Sequence, residues 1–189
     1  AQQFLADLQG AGDVETITVY LNTVGGSFYD GLPIYNTLKQ HKAHVTVKVM
    51  GYALSMGSVI MLAGDVVEAA ENSLVMIHRA QGGVWGDAED MAHASQVLQK
   101  HEQAVIPEYM RRLGKSEQDV MALLKAETWY TASEAKAAGL VDAVTAATLT
   151  GKGGAADMQA ESWEYASQHF RNIPQAVMQR MNRRSAVFS

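Results

Sequence analysis

Two stretches rich in β-branched and aromatic residues, Thr16–Leu21 and Val45–Met50, are the strongest structural signals in the sequence. Each is followed by a turn that contains glycine and then by an apolar pattern of helical period. β-Branched residues favour strands, and strands that alternate with helices usually pair in parallel. The chain is therefore predicted to form an α/β fold of short strand–helix–strand units. In such folds, substrates bind where strands lead into helices.

The junction after the second stretch contains a serine, Ser55, within Gly51-Tyr-Ala-Leu-Ser-Met-Gly-Ser58. A serine at the start of a helix is often only an N-cap, and this interpretation stands beside a catalytic one. Small residues at positions 51, 53 and 57 leave room for a substrate, and a helix N-terminus supplies free N–H groups for an oxyanion. The glycines lie four residues before and two after the serine, so the nucleophile elbow of α/β-hydrolases is not matched.

A histidine, His78, follows Ser55 by 23 residues, at the end of another apolar strand pattern, Leu74–Ile77. A single histidine is more often part of the core or the surface than a general base. Here, however, the ends of neighbouring parallel strands would meet at one edge of the sheet. This placement makes Ser55 a candidate nucleophile and His78 its candidate base.

A glycine pair, Gly25 and Gly26, follows the first strand in Asn22-Thr-Val-Gly-Gly-Ser27. The pair can be a simple turn before a helix. A phosphate site is a second possibility, but the spacing fits neither the dinucleotide-binding nor the P-loop pattern. The third is an oxyanion hole in which the amide of Gly26 acts together with the amide of Met56.

The composition excludes several classes of function. With 189 residues, 48% of them hydrophobic and 19% charged, the sequence is typical of one globular domain. The net charge of −5 gives no indication of nucleic-acid binding. Cysteine is absent and the histidines lack metal-ligand spacing, so neither a structural nor a catalytic metal is expected. No apolar run is long enough to cross a bilayer, and no signal peptide is visible.

The C-terminal part of the chain differs from the rest. Gly151-Lys-Gly-Gly154 is typical of a linker, and the residues beyond it are rich in Gln, Met and Arg. Residues 151–189 contain five basic and three acidic residues, a net charge of +2 against −7 for the remainder. Such a basic tail is expected either to dock on a neighbouring subunit or to form a poorly packed extension. We therefore divide the chain into a domain over residues 1–147 and a linker with a C-terminal extension over 148–189.

Five motifs, taken in order, resemble those of the proteolytic subunit of the Clp protease, the ClpP family. The resemblance covers roughly residues 1–147. Within this family, the sequence most resembles the divergent ClpP-like peptidases of phages and prophages, which serve in capsid maturation. The motifs are Asn22-Thr-Val-Gly-Gly-Ser27, Ala53-Leu-Ser-Met-Gly57, Met76-Ile-His78, Thr131-Ala-Ser-Glu-Ala135 and Gly139-Leu-Val-Asp142.

The resemblance implies roles for individual residues. Ser55 matches the nucleophile and His78 the general base, while Gly26 and Met56 match the amides of the oxyanion hole. The third member of the triad falls two residues before Trp129, at Glu127, where the family usually has Asp. A glutamate can still accept a hydrogen bond from the imidazole. The simpler interpretation, a solvated glutamate at a helix end, stays open, and Asp65 and Asp119 are weaker candidates.

The resemblance also implies a fold, an assembly and partners. The fold is a ClpP/crotonase-like spiral of short β-α-β units with a protruding long handle helix at about 87–113. The expected assembly is a homo-oligomeric ring or two stacked rings in the cytoplasm, and the peptidase itself would need no cofactor. Its substrates would be peptides or unfolded proteins, with an ATP-driven unfoldase or phage capsid proteins as further partners. The family's first strand and pore loop would precede Ala1. The bound peptide would lie beside a segment at 82–86 that contains Gly82, Gly83 and Val84, and it would also contact Gly25.

The sequence departs from the family pattern in two places, and three other functions stay open. Val24 replaces a frequent proline, and Arg79-Ala80 replaces the usual Gln-Pro, which is expected to alter specificity. A crotonase-type acyl-CoA enzyme would share the architecture but would not need Ser55 and His78 as a pair. A Ser/Lys hydrolase similar to signal peptide peptidases would make His78 dispensable. A ring-forming structural protein with a degenerate site is the non-catalytic alternative.

Overall fold

A computed structural model describes residues 2–146, 160–175 and 177–178. The predicted linker lies outside the described residues. In chain order, the helices and strands are α1 (Gln2–Gly10), β1 (Thr16–Thr23), α2 (Phe28–Gln40), β2 (His44–Leu54), α3 (Met56–Met61), β3 (Val66–Ala70), β4 (Leu74–Ile77), α4 (Ala88–Leu113), α5 (Glu117–Lys125), β5 (Thr128–Thr131), α6 (Ala132–Ala138), β6 (Ala143–Thr145) and α7 (Ala160–His169). The predicted α/β fold is confirmed.

The long strand β2 organises the sheet. Its first half pairs with β1 on one side and with β3 on the other, and its last residues, Tyr52–Leu54, pair instead with β4. The remaining part of the order is β5–β4 at one end and β3–β6 at the other. Because β2 changes partner along its length, the sheet curls, and the end of β2 comes to lie beside the end of β4.

The pairings among β1, β2, β3, β4 and β6 are parallel, as predicted, but β5 runs antiparallel to β4. Residues Leu74–Ile77 pair with Thr128–Thr131 in reverse order. The connection from β4 to β5 runs through α4 and α5, and a connection of this length permits pairing in either direction. The antiparallel pairing places the start of β5 beside the end of β4. Glu127, the residue before β5, therefore lies near His78, the residue after β4.

The sheet and its helices enclose the main core. Its fully buried members include Val47, Val49, Val67, Val75 and Ile77. Strands buried on both faces are expected to be continuously apolar, as these are. The core fixes the strand ends rigidly, and the site residues project from those ends.

The predicted long handle helix is α4. Asp87 caps its start with a reciprocal capping box, and Gly114 ends it in the left-handed conformation. Its first buried side chain is Glu102, and Val105, Ile106 and Tyr109 follow on the same face. The first half of the helix is largely exposed, so only its C-terminal half belongs to the core.

The C-terminal segment, which we define as residues 165–173, packs against the body of its own chain. Ala166 and Phe170 are buried, and they form a second apolar cluster with Val24, Leu54 and Met76. The expectation of a poorly packed extension is therefore wrong for this part. The contact could not be predicted from the sequence, because only a few apolar side chains in a largely polar stretch make it.

Candidate active site

Ser55 and His78 are in direct contact at the adjoining ends of β2 and β4. His78 Nε2 lies 2.7 Å from Ser55 Oγ, and the Ser55 amide donates to the carbonyl of Met76 across the two strands at 2.9 Å. Although Ser55 occupies the N-cap position of α3, its side chain makes no capping hydrogen bond. The hydroxyl is instead available to the imidazole, so Ser55 stands at the N-cap position without acting as a capping side chain.

The backbone of Ser55 is strained. Its φ of 54° with a ψ of −124° is a conformation that costs a non-glycine residue about 1–3 kcal/mol. Two hydrogen bonds to the Ser55 carbonyl help to hold it, one from the Ser58 amide at 2.9 Å and one from Ser58 Oγ at 2.6 Å. The strained turn lifts the side chain of Ser55 out of the helix and towards His78.

A buried tyrosine supports this turn from below. The hydroxyl of Tyr109, on α4, lies 2.6 Å from Ser58 Oγ. Because Ser58 uses its only hydroxyl proton on the Ser55 carbonyl, Tyr109 is the donor in this pair. Burial raises the pKa of Tyr109, so the phenol stays protonated and able to donate. Sequence patterns assign a role to neither residue, although a serine three positions after a candidate nucleophile is a usable signal.

His78 presents one ring nitrogen to Ser55 and keeps the other buried. Among the described residues, Nδ1 has no hydrogen-bond partner. Burial lowers the pKa of His78 below its usual value, and the negative charges of Glu127 and Glu102 oppose that effect. The ring of Phe170 packs edge-on against the imidazole at a centroid distance of 5.4 Å. His78 is thus held neutral, with Nε2 free to accept a proton from Ser55.

Glu127 lies at the start of β5, is only 6% exposed and has a φ of 50°. The interpretation as a solvated glutamate is therefore wrong. Its carboxylate accepts hydrogen bonds from the backbone amides of Arg171, at 2.9 Å to each oxygen, and Asn172, at 2.7 Å. Trp129 Nε1 adds a longer bond of 3.4 Å. Glu127 is held in the same region as His78, but its hydrogen bonds go to the C-terminal segment.

The two weaker candidates for the acid are used elsewhere in the fold. Asp65 accepts from the Val45 amide at 2.8 Å, near the start of β2. Asp119 is bonded to Ser116 at the N-terminus of α5. Neither of these bonds involves His78 or Ser55.

The glycine turn lies directly against the serine turn. Gly25 has a φ of 99° and Gly26 a φ of 143°, values that side chains rarely tolerate. A Cβ on Gly25 would come within 2.7 Å of both the Leu54 carbonyl oxygen and Ser55 Cβ. A Cβ on Gly26 would meet nothing within 4 Å, so the backbone of Gly26 borders open space. Only glycine at position 25 allows the two turns to approach this closely.

A cleft of about 500 Å³ runs past these residues. Its lining includes Ser55 and His78 together with most of the other residues singled out in the sequence, namely Gly26, Met56, Gly82, Gly83 and Val84. Gly25 lies behind the serine rather than in the lining. The apolar part of the wall comes mainly from α3 and α4, through Val59, Val97, Leu98 and Val105. Phe28, stacked on His101 at 4.4 Å, completes it.

An ion pair fixes the chain just after His78. Arg79 donates to both oxygens of Glu102 at 2.8 and 2.9 Å, and the Ala80 amide donates to the same carboxylate at 3.2 Å. Glu102 is 5% exposed, so its charge needs these donors. The exit of β4 is thereby joined to the middle of α4. Arg79 stands at one of the departures noted in the sequence, but its pairing with a residue of α4 could not be read from it.

Over the described parts of the chain, no group of three or more His, Cys, Asp or Glu side chains is arranged to hold a metal ion. In the same residues, no helix is both long and apolar enough to cross a membrane.

Comparison with known proteins places this geometry in context. A family model described as Clp protease matches residues 1–148. The chain is also similar to a protein of Deinococcus radiodurans described as an ATP-dependent Clp protease proteolytic subunit. The two are 31% identical over 156 residues, which cover 82% of this chain and 76% of that protein.

Proposed function

The chain belongs to the Clp protease family and is a ClpP-type peptidase, and from this premise we propose that it cleaves peptide bonds by serine catalysis. Ser55 Oγ attacks the peptide carbonyl while His78 Nε2 takes its proton. The resulting oxyanion is stabilised by the amides of Gly26 and Met56. His78 then protonates the leaving amine, and a water molecule releases the acyl group from Ser55 by the same steps.

The observation that carries this proposal is the 2.7 Å contact between Ser55 Oγ and His78 Nε2. A nucleophile and its base must lie within hydrogen-bond reach, and a neutral imidazole must have a free acceptor nitrogen. Both conditions are met here, since burial keeps His78 neutral. A crotonase-type enzyme would require no such pair. A Ser/Lys hydrolase would require a lysine as its base, and the described residues that line the cleft include no lysine.

The oxyanion amides are supported by their positions. Met56 is the first residue of α3, so its amide has no acceptor within the helix. Gly26 borders the cleft, and the close contact of Gly25 with the serine turn keeps the two amides near the nucleophile. Preorganised donors of this kind are often the largest single contribution to acyl transfer.

Glu127 is proposed as the acid that orients His78. Its negative charge raises the pKa of His78, so the carboxylate lies within electrostatic reach of the imidazole. The buried Nδ1 of His78 requires an acceptor of this type. In the proposed mechanism, Glu127 stabilises the imidazolium that forms during attack.

The substrate is proposed to be a peptide or an unfolded chain. An extended backbone needs open main-chain donors and acceptors, and Gly82, Gly83 and Val84 offer an exposed segment along the cleft. The apolar wall then suits an apolar side chain next to the scissile bond. By likeness to the family, we also propose a homo-oligomeric ring, with an ATP-driven unfoldase as the partner that supplies substrate.

A fluorophosphonate probe tests the proposed nucleophile. We expect stoichiometric labelling of Ser55, located by mass spectrometry of the digested protein, because the probe reacts with a serine activated by a base. Ser55→Ala should remove the label, whereas Ser27→Ala, which changes another serine of the cleft, should keep it. Label on a different serine, or none on a folded sample, would contradict serine catalysis and favour the crotonase or structural alternatives.

The pH dependence of the reaction tests the base. Since burial lowers the pKa of His78, the imidazole stays neutral to a lower pH than a free histidine does. The loss of kcat/KM on acidification should therefore be centred below about 6.5, the ordinary value for histidine. We would measure kcat/KM for a short fluorogenic peptide from about pH 4.5 to 9, with circular dichroism to confirm that the protein stays folded. A midpoint at or above the ordinary value would contradict this description of His78.

A further inference from the structure

The C-terminal segment reaches the proposed catalytic residues from behind. Phe170 packs against the His78 ring, and the next two residues, Arg171 and Asn172, donate their amides to Glu127. Tyr165, earlier in the segment, also lines the cleft. The segment therefore contacts both His78 and Glu127 while it adds no group to the reacting atoms.

Most of the hydrogen bonds that the Glu127 carboxylate accepts come from this segment. Its Oε1 accepts from the amides of Arg171 and Asn172 and from Trp129 Nε1, and its Oε2 accepts a second, shared bond from the Arg171 amide. In the same place, His78 Nδ1 is buried without a partner among the residues the structure describes. With Nε2 accepting from Ser55, Nδ1 must carry the ring proton, and a buried donor without an acceptor is unfavourable.

We propose that the Nδ1–H of His78 and the amides of Arg171 and Asn172 compete for the Glu127 carboxylate, so that the C-terminal segment controls the general base. This inference rests on the function proposed above. With the segment docked, Ser55 and His78 are in contact but the third member is withdrawn. When the segment releases Glu127, the carboxylate can accept from Nδ1 and complete the triad. Arg171 and Asn172 are thus positioning residues that act on His78 through Glu127.

The competition has a defined electrostatic consequence. A carboxylate bonded to Nδ1 favours the protonated imidazole, so release should raise the pKa of His78. The other charged groups near the ring stay the same on release, apart from the segment's own arginine. They are Glu102 on α4, Arg79 at the exit of β4, Lys125 at the end of α5 and Arg171 on the segment. Release is therefore expected to move the acid limb of kcat/KM upward.

Two substitutions at one position isolate the amide. Asn172→Pro removes the donor that lies 2.7 Å from Glu127 Oε1, whereas Asn172→Ala keeps it. Both variants lose the side-chain bond to the Ala126 carbonyl, so that bond cannot account for a difference between them. We expect Asn172→Pro to raise kcat at pH 8 by about tenfold over Asn172→Ala, with KM unchanged, as one additional hydrogen bond to the imidazole would do.

A spectroscopic readout is independent of turnover. A downfield imidazole N–H resonance, the signature of an Nδ1–H to carboxylate bond, should appear in Asn172→Pro and disappear again when Glu127→Gln is added. The same resonance and the same rate increase are expected for Phe170→Ala, which weakens docking without changing an amide. Phe170→Ala also serves if Asn172→Pro does not fold, as judged by thermal melting.

The outcomes separate this inference from the proposed function. Equal rates and equal spectra for Asn172→Pro and Asn172→Ala, or a slower but folded Asn172→Pro, would overturn the competition while leaving serine catalysis intact. Absence of fluorophosphonate labelling in all variants would overturn the proposed function instead. In that case, the N–H resonance would still decide whether Glu127 exchanges its partners.

Discussion

Ser55→Ala is expected to lower kcat/KM for a short peptide by about 10⁴-fold to 10⁶-fold, because it removes the atom that forms the acyl-enzyme. The methyl group of alanine fills less space than the serine side chain but keeps the strained backbone in place. The loss should therefore appear in kcat with little change in KM or in the melting temperature. Continuous fluorescence of a quenched peptide measures the rate, and thermal melting measures the stability.

The matched control for this prediction is His78→Ala, alone and combined with Ser55→Ala. Nucleophile and base act as one unit, so the double variant should be no slower than Ser55→Ala alone. If the loss of kcat/KM in the double variant equalled the product of the two single losses, His78 and Ser55 would act in separate steps. That result would contradict the assignment of His78 as the base.

Gly25→Ala is expected to damage both stability and activity. An alanine there would adopt a φ of 99° and would place its Cβ 2.7 Å from the Leu54 carbonyl oxygen, a backbone atom that cannot move without shifting Ser55. Strain and overlap together should lower the free energy of unfolding by about 2–4 kcal/mol. Displacement of the serine turn by a fraction of an ångström to an ångström should lower kcat by about 10²-fold. Urea unfolding and peptide hydrolysis measure the two effects.

Two further glycines separate strain from overlap. Gly12 also has a positive φ, 67°, but a Cβ there would meet nothing within 4 Å. Gly12→Ala should therefore show only the cost of strain and should keep full activity. Gly10→Ala, in equally open space, should be close to neutral in both measurements. A Gly25→Ala variant that behaved like Gly12→Ala would show that the contact with the serine turn is not needed.

Much of the strand framework can be predicted from local sequence because local chemistry determines it. The β-branched runs of β1 and β2 form strands where their patterns predict them, and local capping boxes at Asp87 and Thr131 begin α4 and α6. The meeting of Ser55 with His78 also follows from local signals, since each residue stands at the end of a buried strand. The antiparallel pairing of β5 does not follow, because a strand of only four residues carries no signal of its direction in the sheet.

The surroundings of the site depend on contacts that local patterns do not encode. Nothing near Phe170 in the sequence indicates that its ring lies against His78, and the bonds from Arg171 and Asn172 to Glu127 use backbone amides, which every residue except proline has. The family motifs locate Glu127 but not its partners. The structure is therefore needed to find the amides that bond to Glu127 and to propose His78 Nδ1–H as a competing donor.

The ion pair between Arg79 and Glu102 has a mechanical consequence. It clamps the residue after His78 to α4 at the point where that helix enters the core, beyond an outer half of more than three turns that is largely exposed. A force applied to the exposed half of α4, such as the pressure of a neighbouring molecule, would therefore be transmitted through the ion pair to the end of β4 and to His78. It would not be absorbed by a flexible connection between the helix and the strand.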